Sequence, residues 1–65
     1  MKNNIKDLRE TRGISQEKLA NMLDVSRQTI ISIEKGKFNP SLQLAFKFSK
    51  VFSLSIEEIF QPEEE

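Results

Sequence analysis

The sequence predicts an all-α fold of five short helices, and three observations lead to that prediction. Apolar residues recur at intervals of three or four positions, which is the spacing of one face of an α-helix. A serine stands immediately before four of the apolar segments, where the N-cap of a helix is expected. A glycine follows two of the segments, where helices often end. No segment shows the alternation typical of a strand, so we expect no sheet.

The first helix is expected over about residues 2–12. Ile5 and Leu8 are spaced three residues apart on this segment and are expected to face a core. Gly13 ends the helix, because glycine readily adopts the positive φ that commonly follows a last helical turn.

The second helix is expected over residues 16–23, behind the N-cap Ser15. Its inward-facing residues are Leu19, Ala20 and Leu23. Only Asp24 and Val25 separate this helix from Ser26, which is the expected cap of the next one. Because so short a turn cannot reverse the chain, the two helices are expected to cross at a steep angle.

The third helix is expected over residues 27–35 and ends at Gly36. Its apolar stripe consists of Ile30 and Ile33. A loop follows, and Ser41 then caps a fourth helix over residues 42–52.

The fifth helix, over residues 56–60, opens with a capping box in which Ser55 and Glu58 satisfy each other's backbone N–H groups. The chain is therefore interpreted as one domain over residues 1–61, followed by an acidic tail at 62–65.

The composition limits the classes of protein that this chain can belong to. The chain has 65 residues, and at that length only about 60% of the unfolded surface is buried on folding, so dimerisation would add needed stability. It contains no cysteine and no histidine, which excludes disulfides and Cys/His metal sites. No cofactor, metal or small-molecule ligand is expected.

Neither an export signal nor a membrane-spanning apolar run is evident, so a cytoplasmic protein without a membrane partner is predicted.

The net charge is zero, but the charges are unevenly distributed. All ten Lys and Arg residues precede Ser55, together with five of the ten acids, and the other five acids follow. The resulting basic body is compatible with nucleic-acid binding on one face. The acidic tail has two interpretations: a solubilising end, or a segment that repels phosphates and so reduces non-specific DNA binding.

The third helix presents an outward face of mixed chemistry. On a helical wheel of about 100° per residue, this face consists of Arg27, Gln28, Ile31, Ser32 and Lys35. In the major groove a guanidinium pairs with guanine, an amide with adenine, and an aliphatic group with the thymine methyl. Any exposed helix carries such polar residues, so the face alone does not establish base reading. The adjoining capped N-termini and the basic loop favour DNA, because such N-termini bind phosphate.

Four motifs carry a family resemblance: ISQEKLA at 14–20, VSRQTI at 25–30, IEKGK at 33–37 and PSL at 40–42. This pattern resembles the phage-repressor and Cro-like helix-turn-helix regulators, also called the xenobiotic-response-element (XRE) family, over residues 5–60. The resemblance implies a compact lambda-repressor-like DNA-binding domain with its helix-turn-helix at helices 2 and 3. It also implies sequence-specific binding of double-stranded DNA by a transcriptional regulator, most simply a repressor.

By position, the resemblance implies roles for individual residues. Base reading is implied for Arg27, Gln28 and Ser32. Ile31, where many relatives carry a small or polar residue, either contacts a thymine methyl or the sugar backbone or has no role. Contacts with the DNA backbone are implied for Gln16, Thr29, Lys35, Lys37 and Asn39, and the cap Ser26 is added to them. A partly buried ion pair of Arg9 with Glu34 is expected to serve stability.

The fourth helix carries more apolar residues than a surface helix needs, over an arc of about 220° instead of roughly 100°. Two interpretations stay open: this helix is the centre of a small core, or it contributes to a subunit interface. The candidate interface residues are Leu44, Phe46, Val51, Ile56, Ile59 and Phe60. A homodimer would match a two-fold symmetric operator.

An enzyme is not expected, because no base is available to activate the serines that are expected as helix caps, namely Ser15, Ser26, Ser41 and Ser55. The rival hypothesis is a protein-interaction module, such as an antitoxin, built on the same fold. The combination of Arg27, Gln28 and Lys35 on one face, flanked by Gln16 and Lys37, favours DNA.

Overall fold

The computed structural model of the protein describes residues 1–62. The described chain folds into five α-helices and one small two-stranded sheet. The helices are α1 (Ile5–Thr11), α2 (Gln16–Leu23), α3 (Arg27–Glu34), α4 (Leu42–Phe52) and α5 (Ile56–Ile59). The strands are β1 (Lys2–Asn3) and β2 (Phe60–Gln61). The predicted acidic tail lies outside the described residues from position 63 onward.

The sheet contradicts the expectation that the chain has no strands. β1 and β2 pair antiparallel, with Lys2 opposite Gln61 and Asn3 opposite Phe60. The first helix therefore begins at Ile5 rather than at residue 2, and the fifth ends at Ile59 rather than at residue 60. Strands of two residues are too short to show alternation, and their pairing joins distant parts of the chain.

Serine caps begin four of the helices, as predicted. Each hydroxyl oxygen accepts a hydrogen bond from the backbone N–H three residues later, at 3.0–3.2 Å. The caps are Ser15, Ser26, Ser41 and Ser55. The capping box is also present: the Ser55 N–H donates to Glu58 Oε1 at 3.0 Å. The hydrogen bonds from Ser55 lower the pKa of the Glu58 carboxyl.

The ends of α1 to α4 share one backbone arrangement, the Schellman motif. A residue with positive φ follows each helix, and the next N–H donates to the carbonyl five residues earlier at 2.9–3.2 Å. The residues with positive φ are Gly13, Asp24, Gly36 and Ser53. The two glycines were expected at these positions. The other two were not, because neither residue type requires a positive φ.

The core lies where α4 and α5 meet the first three helices. Its buried apolar residues are Ile5, Leu19, Ala20, Leu23, Ile30, Ile33, Leu44, Ala45, Phe48, Phe52, Ile59 and Phe60. At its centre the Phe48 ring stacks on Phe52 and meets the Phe60 ring edge-on, with centroids 6.4 and 5.4 Å apart. The apolar excess on α4 therefore mainly builds the core of the chain itself.

This core corrects half of the expected subunit interface. Leu44, Ile59 and Phe60 are only 9%, 0% and 5% exposed, so they pack within the chain and are not available to a partner. Phe46 is 55% exposed, while Val51 and Ile56 are partly buried against the core. Sequence spacing placed all six residues on apolar faces but could not show which face the core would cover.

None of the helices in the described part of the chain is long and apolar enough to cross a membrane. The cytoplasmic location stays a prediction from the sequence.

Candidate nucleic-acid interface

The outward face of α3 is opposite its buried isoleucines. Arg27 and Gln28 are exposed at the start of the helix, and Ile31 and Ser32 follow one turn later, half-buried. Gln28 Nε2 donates to Ser32 Oγ at 3.4 Å, so two of the expected base-reading side chains contact each other. The face therefore combines an exposed guanidinium, that of Arg27, with an amide that is held along the helix.

The N-terminal turn of α3 is fixed by two hydroxyl groups. Ser26 Oγ accepts a hydrogen bond from the Thr29 N–H at 3.1 Å and lies 2.9 Å from Thr29 Oγ1. Both residues were expected at the DNA backbone. In this structure their hydroxyls bond to each other, which holds the first turn that carries Arg27 and Gln28.

A buried network connects α1, α2 and α3 behind this face. Arg9 Nε donates to Glu34 Oε2 at 2.8 Å, and Arg9 Nη1 donates to the Ile14 carbonyl at 3.1 Å. The Glu34 side chain is only 7% exposed. Its hydrogen bond with Arg9 raises the pKa of the Arg9 guanidinium above the ordinary value for arginine. The expected pair of Arg9 with Glu34 is thus formed, and it ties the first helix to the end of the third.

Gln16 belongs to the same network, which the sequence did not indicate. Its Nε2 donates to Glu34 Oε1 at 3.1 Å. Gln16 and Arg27 line one open depression between the starts of α2 and α3, together with Arg9, Ser15 and Glu17. The amide expected to grip a phosphate is therefore next to the first base-reading candidate and is oriented by a carboxylate from the far end of α3.

The C-terminal end of α3 presents two cations around a glycine. Lys35 and Lys37 are exposed, and Gly36 between them has a φ of 74°. The Lys37 N–H donates to the Ser32 carbonyl at 3.0 Å, so the turn is held against the helix. Asn39 is also exposed in the following loop. These three side chains are accessible to a ligand, and their contacts with the DNA backbone stay a prediction.

Asn3 supports the same helix end and was missed by the sequence analysis. Its Nδ2 donates to the Ile33 carbonyl at 2.8 Å, and its Oδ1 accepts from the Ile5 N–H at 3.2 Å. One side chain therefore connects the end of α3 with the start of α1. No local pattern marks this role, because the bonded residues are 30 positions apart.

A family model described as helix-turn-helix matches residues 5–59, which contain all five helices. The chain belongs to this helix-turn-helix family. The resemblance to Cro-like regulators is confirmed, and α2, the turn around Asp24, and α3 form the motif after which the family is named.

Relatives in archaea and bacteria align with nearly all of the chain. An uncharacterised HTH-type transcriptional regulator of Methanocaldococcus jannaschii is 58% identical over 60 residues, covering 92% of this chain and 91% of the relative. The HTH-type regulator YgzD of Bacillus subtilis is 52% identical over 65 residues, covering 100% and 98%. The phage CTXphi transcriptional repressor RstR of Vibrio cholerae is 35% identical over 60 residues, covering 92% of this chain and 54% of the repressor.

Membership in the helix-turn-helix family also decides the broad class of activity. The names of the family and of its relatives indicate the helix-turn-helix domain of a transcriptional regulator, which is not an enzyme, so the prediction that this chain is not an enzyme is confirmed. The roles of individual side chains on DNA are a separate matter and stay predictions.

Proposed function

We propose that this helix-turn-helix protein binds double-stranded DNA at a specific sequence and represses transcription there. The observation that carries the proposal is the outward face of α3, where Arg27 and Gln28 are exposed on a helix whose two ends are both held by side chains. A guanidinium and an amide are the groups that make bidentate contacts with guanine and adenine in the major groove.

The proposal divides the interface into two sets of residues. Base edges are contacted by Arg27, Gln28, Ser32 and Ile31. The DNA backbone is contacted by Gln16, Ser26, Thr29, Lys35, Lys37 and Asn39. Phosphate contacts set the position and orientation of the protein, and base contacts set the sequence preference.

Gln16 must serve both the protein and the DNA in this scheme. One amide hydrogen is used on Glu34, which leaves the second hydrogen of the same NH₂ group for a phosphate oxygen. The Arg9–Glu34 pair then acts through Gln16 as a positioning element, besides its contribution to stability.

Repression is proposed because steric exclusion needs only occupied DNA, and because the relative RstR is named as a transcriptional repressor. A homodimer on a two-fold symmetric operator is part of the proposal, since two half-sites about one helical turn apart multiply the specificity of one small domain.

The test is selection from a random duplex library, followed by affinity measurements on the selected sequence across a salt series. The proposal expects an enriched, roughly two-fold symmetric motif and a steep fall in affinity with salt. Absence of any enriched sequence, with only weak salt-sensitive binding, contradicts sequence-specific recognition. That result favours the protein-interaction module, and a partner pull-down would then be the next experiment.

A further inference from the structure

Two depressions flank Lys35 at the C-terminal end of α3, and each is lined by a further lysine from outside the helix-turn-helix. The first depression is lined by Ile31 of α3, by Lys35, which caps the end of that helix, and by Lys6 of α1. The second contains Lys35 and Gly36 together with Lys2 of β1. Both added lysines are exposed. Three cations from three elements therefore lie along one edge of the candidate interface.

The acid that lines both depressions does not neutralise these lysines. Among the described residues that line either depression, the only acid is Glu34. Its carboxylate accepts hydrogen bonds from Arg9 at 2.8 and 3.4 Å and from Gln16 at 3.1 Å, and it is almost fully buried. Glu34 is thus paired with Arg9 and Gln16, so among the described residues that line the two depressions no acid is left to pair with the lysines.

The backbone under both lysines is fixed relative to α3. Lys2 is paired with Gln61 across the sheet, and the next residue, Asn3, donates to the Ile33 carbonyl at 2.8 Å. Lys6 follows Ile5, whose side chain is fully buried and whose N–H donates to Asn3 Oδ1. Only the lysine side chains then have to be ordered on binding, which limits the entropic cost.

We propose that Lys6 and Lys2 bind phosphates of the DNA strand that borders the major groove beside α1. This inference rests on the proposed function and extends the DNA-contacting surface from the helix-turn-helix to α1 and β1. In the proposed complex Ile31 faces the groove and Lys35 the DNA backbone, so that strand would pass over the two depressions, which lie on the α1 side of these residues. Lysine suits this role because its ammonium is a flexible point charge for phosphate.

The test compares the charge-removing variants Lys6→Gln and Lys2→Gln with Lys47→Gln and Lys50→Gln. The two control lysines are exposed on α4 and line neither depression, and each variant changes the net charge by the same amount. Circular dichroism checks that all four variants fold. Affinity for the selected duplex, and for a scrambled one, is then measured between 50 and 200 mM salt.

Loss of one phosphate contact is expected to reduce the slope of log affinity against log salt by about 0.9 per bound chain. The fourfold rise in salt then costs the parent protein more affinity than Lys6→Gln or Lys2→Gln, by a factor of about 3.5 for each bound chain and about 12 for a bound dimer. The effect is expected on both duplexes, because phosphate contacts carry no sequence information. The two α4 controls are expected to keep the parent slope, and so is Lys6→Arg, which retains the charge.

Two results would overturn the inference while leaving the proposed function intact. In the first, the parent binds its duplex and both Lys6→Gln and Lys2→Gln keep the parent slope. In the second, Lys47→Gln and Lys50→Gln reduce the slope as much, which indicates a general effect of net charge. If the parent binds no duplex at all, the proposed function fails and this inference fails with it.

Discussion

Arg27 and Lys37 are exposed cations at opposite ends of α3, and DNA offers them different partners. We expect Arg27→Ala to cost about 1–3 kcal/mol of binding free energy and to relax the preference at one base pair, because a bidentate base contact is lost. Lys37→Ala is expected to weaken binding to all sequences alike and to reduce the salt dependence. Affinities for the operator and its single-base variants measure both effects. Identical behaviour of the two variants on every duplex contradicts the division of roles.

Asp24 occupies a backbone conformation that suits glycine better. Its φ is 60°, it is exposed, and its carboxylate lies at the C-terminal end of α2, where the helix dipole disfavours a negative charge. We expect Asp24→Gly to raise the free energy of unfolding by about 0.5–1 kcal/mol, since relief of strain exceeds the added entropy of the unfolded chain.

Urea denaturation checks the Asp24 prediction, with Gly13→Ala as the matched control. Gly13 has a φ of 68°, and a Cβ there would meet no atom within 4 Å, so a loss of stability on substitution reports backbone strain that exceeds the gain from a less flexible unfolded chain. The explanation is wrong if Asp24→Gly destabilises the protein or if Gly13→Ala stabilises it.

At the scale of secondary-structure elements, β1 supports the C-terminal end of α3, because Asn3 donates a hydrogen bond to the Ile33 carbonyl. We expect Asn3→Ala to lower the free energy of unfolding by about 1–3 kcal/mol, because two partly buried hydrogen bonds are lost. Operator binding should weaken as well, since the turn with Lys35 and Lys37 loses its support.

Asn4→Ala is the matched control, because the Asn4 side chain makes one exposed hydrogen bond, to the Glu58 carbonyl, and within the described residues it has no bond to α3 like that of Asn3. It is expected to cost less than about 1 kcal/mol and to leave operator affinity unchanged. Chemical denaturation and duplex titration of both variants provide the comparison. Equal effects of the two substitutions would show that β1 does not position α3.

The sequence was informative about elements whose signals are local. Each serine cap, both glycine ends and the apolar stripes of α2 and α3 depend on residues within a few positions, and the structure contains all of them. The two-residue strands and the bridging amide of Asn3 depend on partners 30 or more positions away, so no local pattern indicates them.

In the candidate site, too, the features that follow from local sequence were predicted, and those that depend on distant residues were not. Exposure of Arg27, Gln28 and Lys35 on one face follows from helical periodicity, and the structure has them exposed. The bond from Gln16 to Glu34 does not follow from periodicity, because it joins two helices. Burial of Leu44, Ile59 and Phe60 likewise depends on how α4 and α5 pack, which the apolar count alone left open.

At the scale of the whole molecule, the exposed apolar residue of α4 bears on the oligomeric state. With Ile59 and Phe60 in the core, Phe46 is the most exposed of the six residues first expected at a dimer interface. We expect the protein to sediment at twice the 7.5 kDa of the chain at micromolar concentration and Phe46→Ser to shift it toward the monomer.

Phe38→Ser is the matched control for Phe46→Ser, because Phe38 is 50% exposed in the loop between α3 and α4 and was not assigned to the interface. It should sediment like the parent. A parent protein that sediments as a monomer of 7.5 kDa, or a Phe38→Ser variant that dissociates as readily as Phe46→Ser, contradicts this interface.

The short sheet has a mechanical consequence. Lys2 and Gln61 form the outermost pair of the ladder, so the two segments leave it on the same side. A force that pulls these segments apart would act on the ladder one pair at a time, in the manner of a zipper, rather than shearing several bonds together. The hydrogen bond from Asn3 to the Ile33 carbonyl belongs to the next residue of β1, in the second pair of the ladder. Tension on the domain would therefore release α3 from β1 while the aromatic core was still intact.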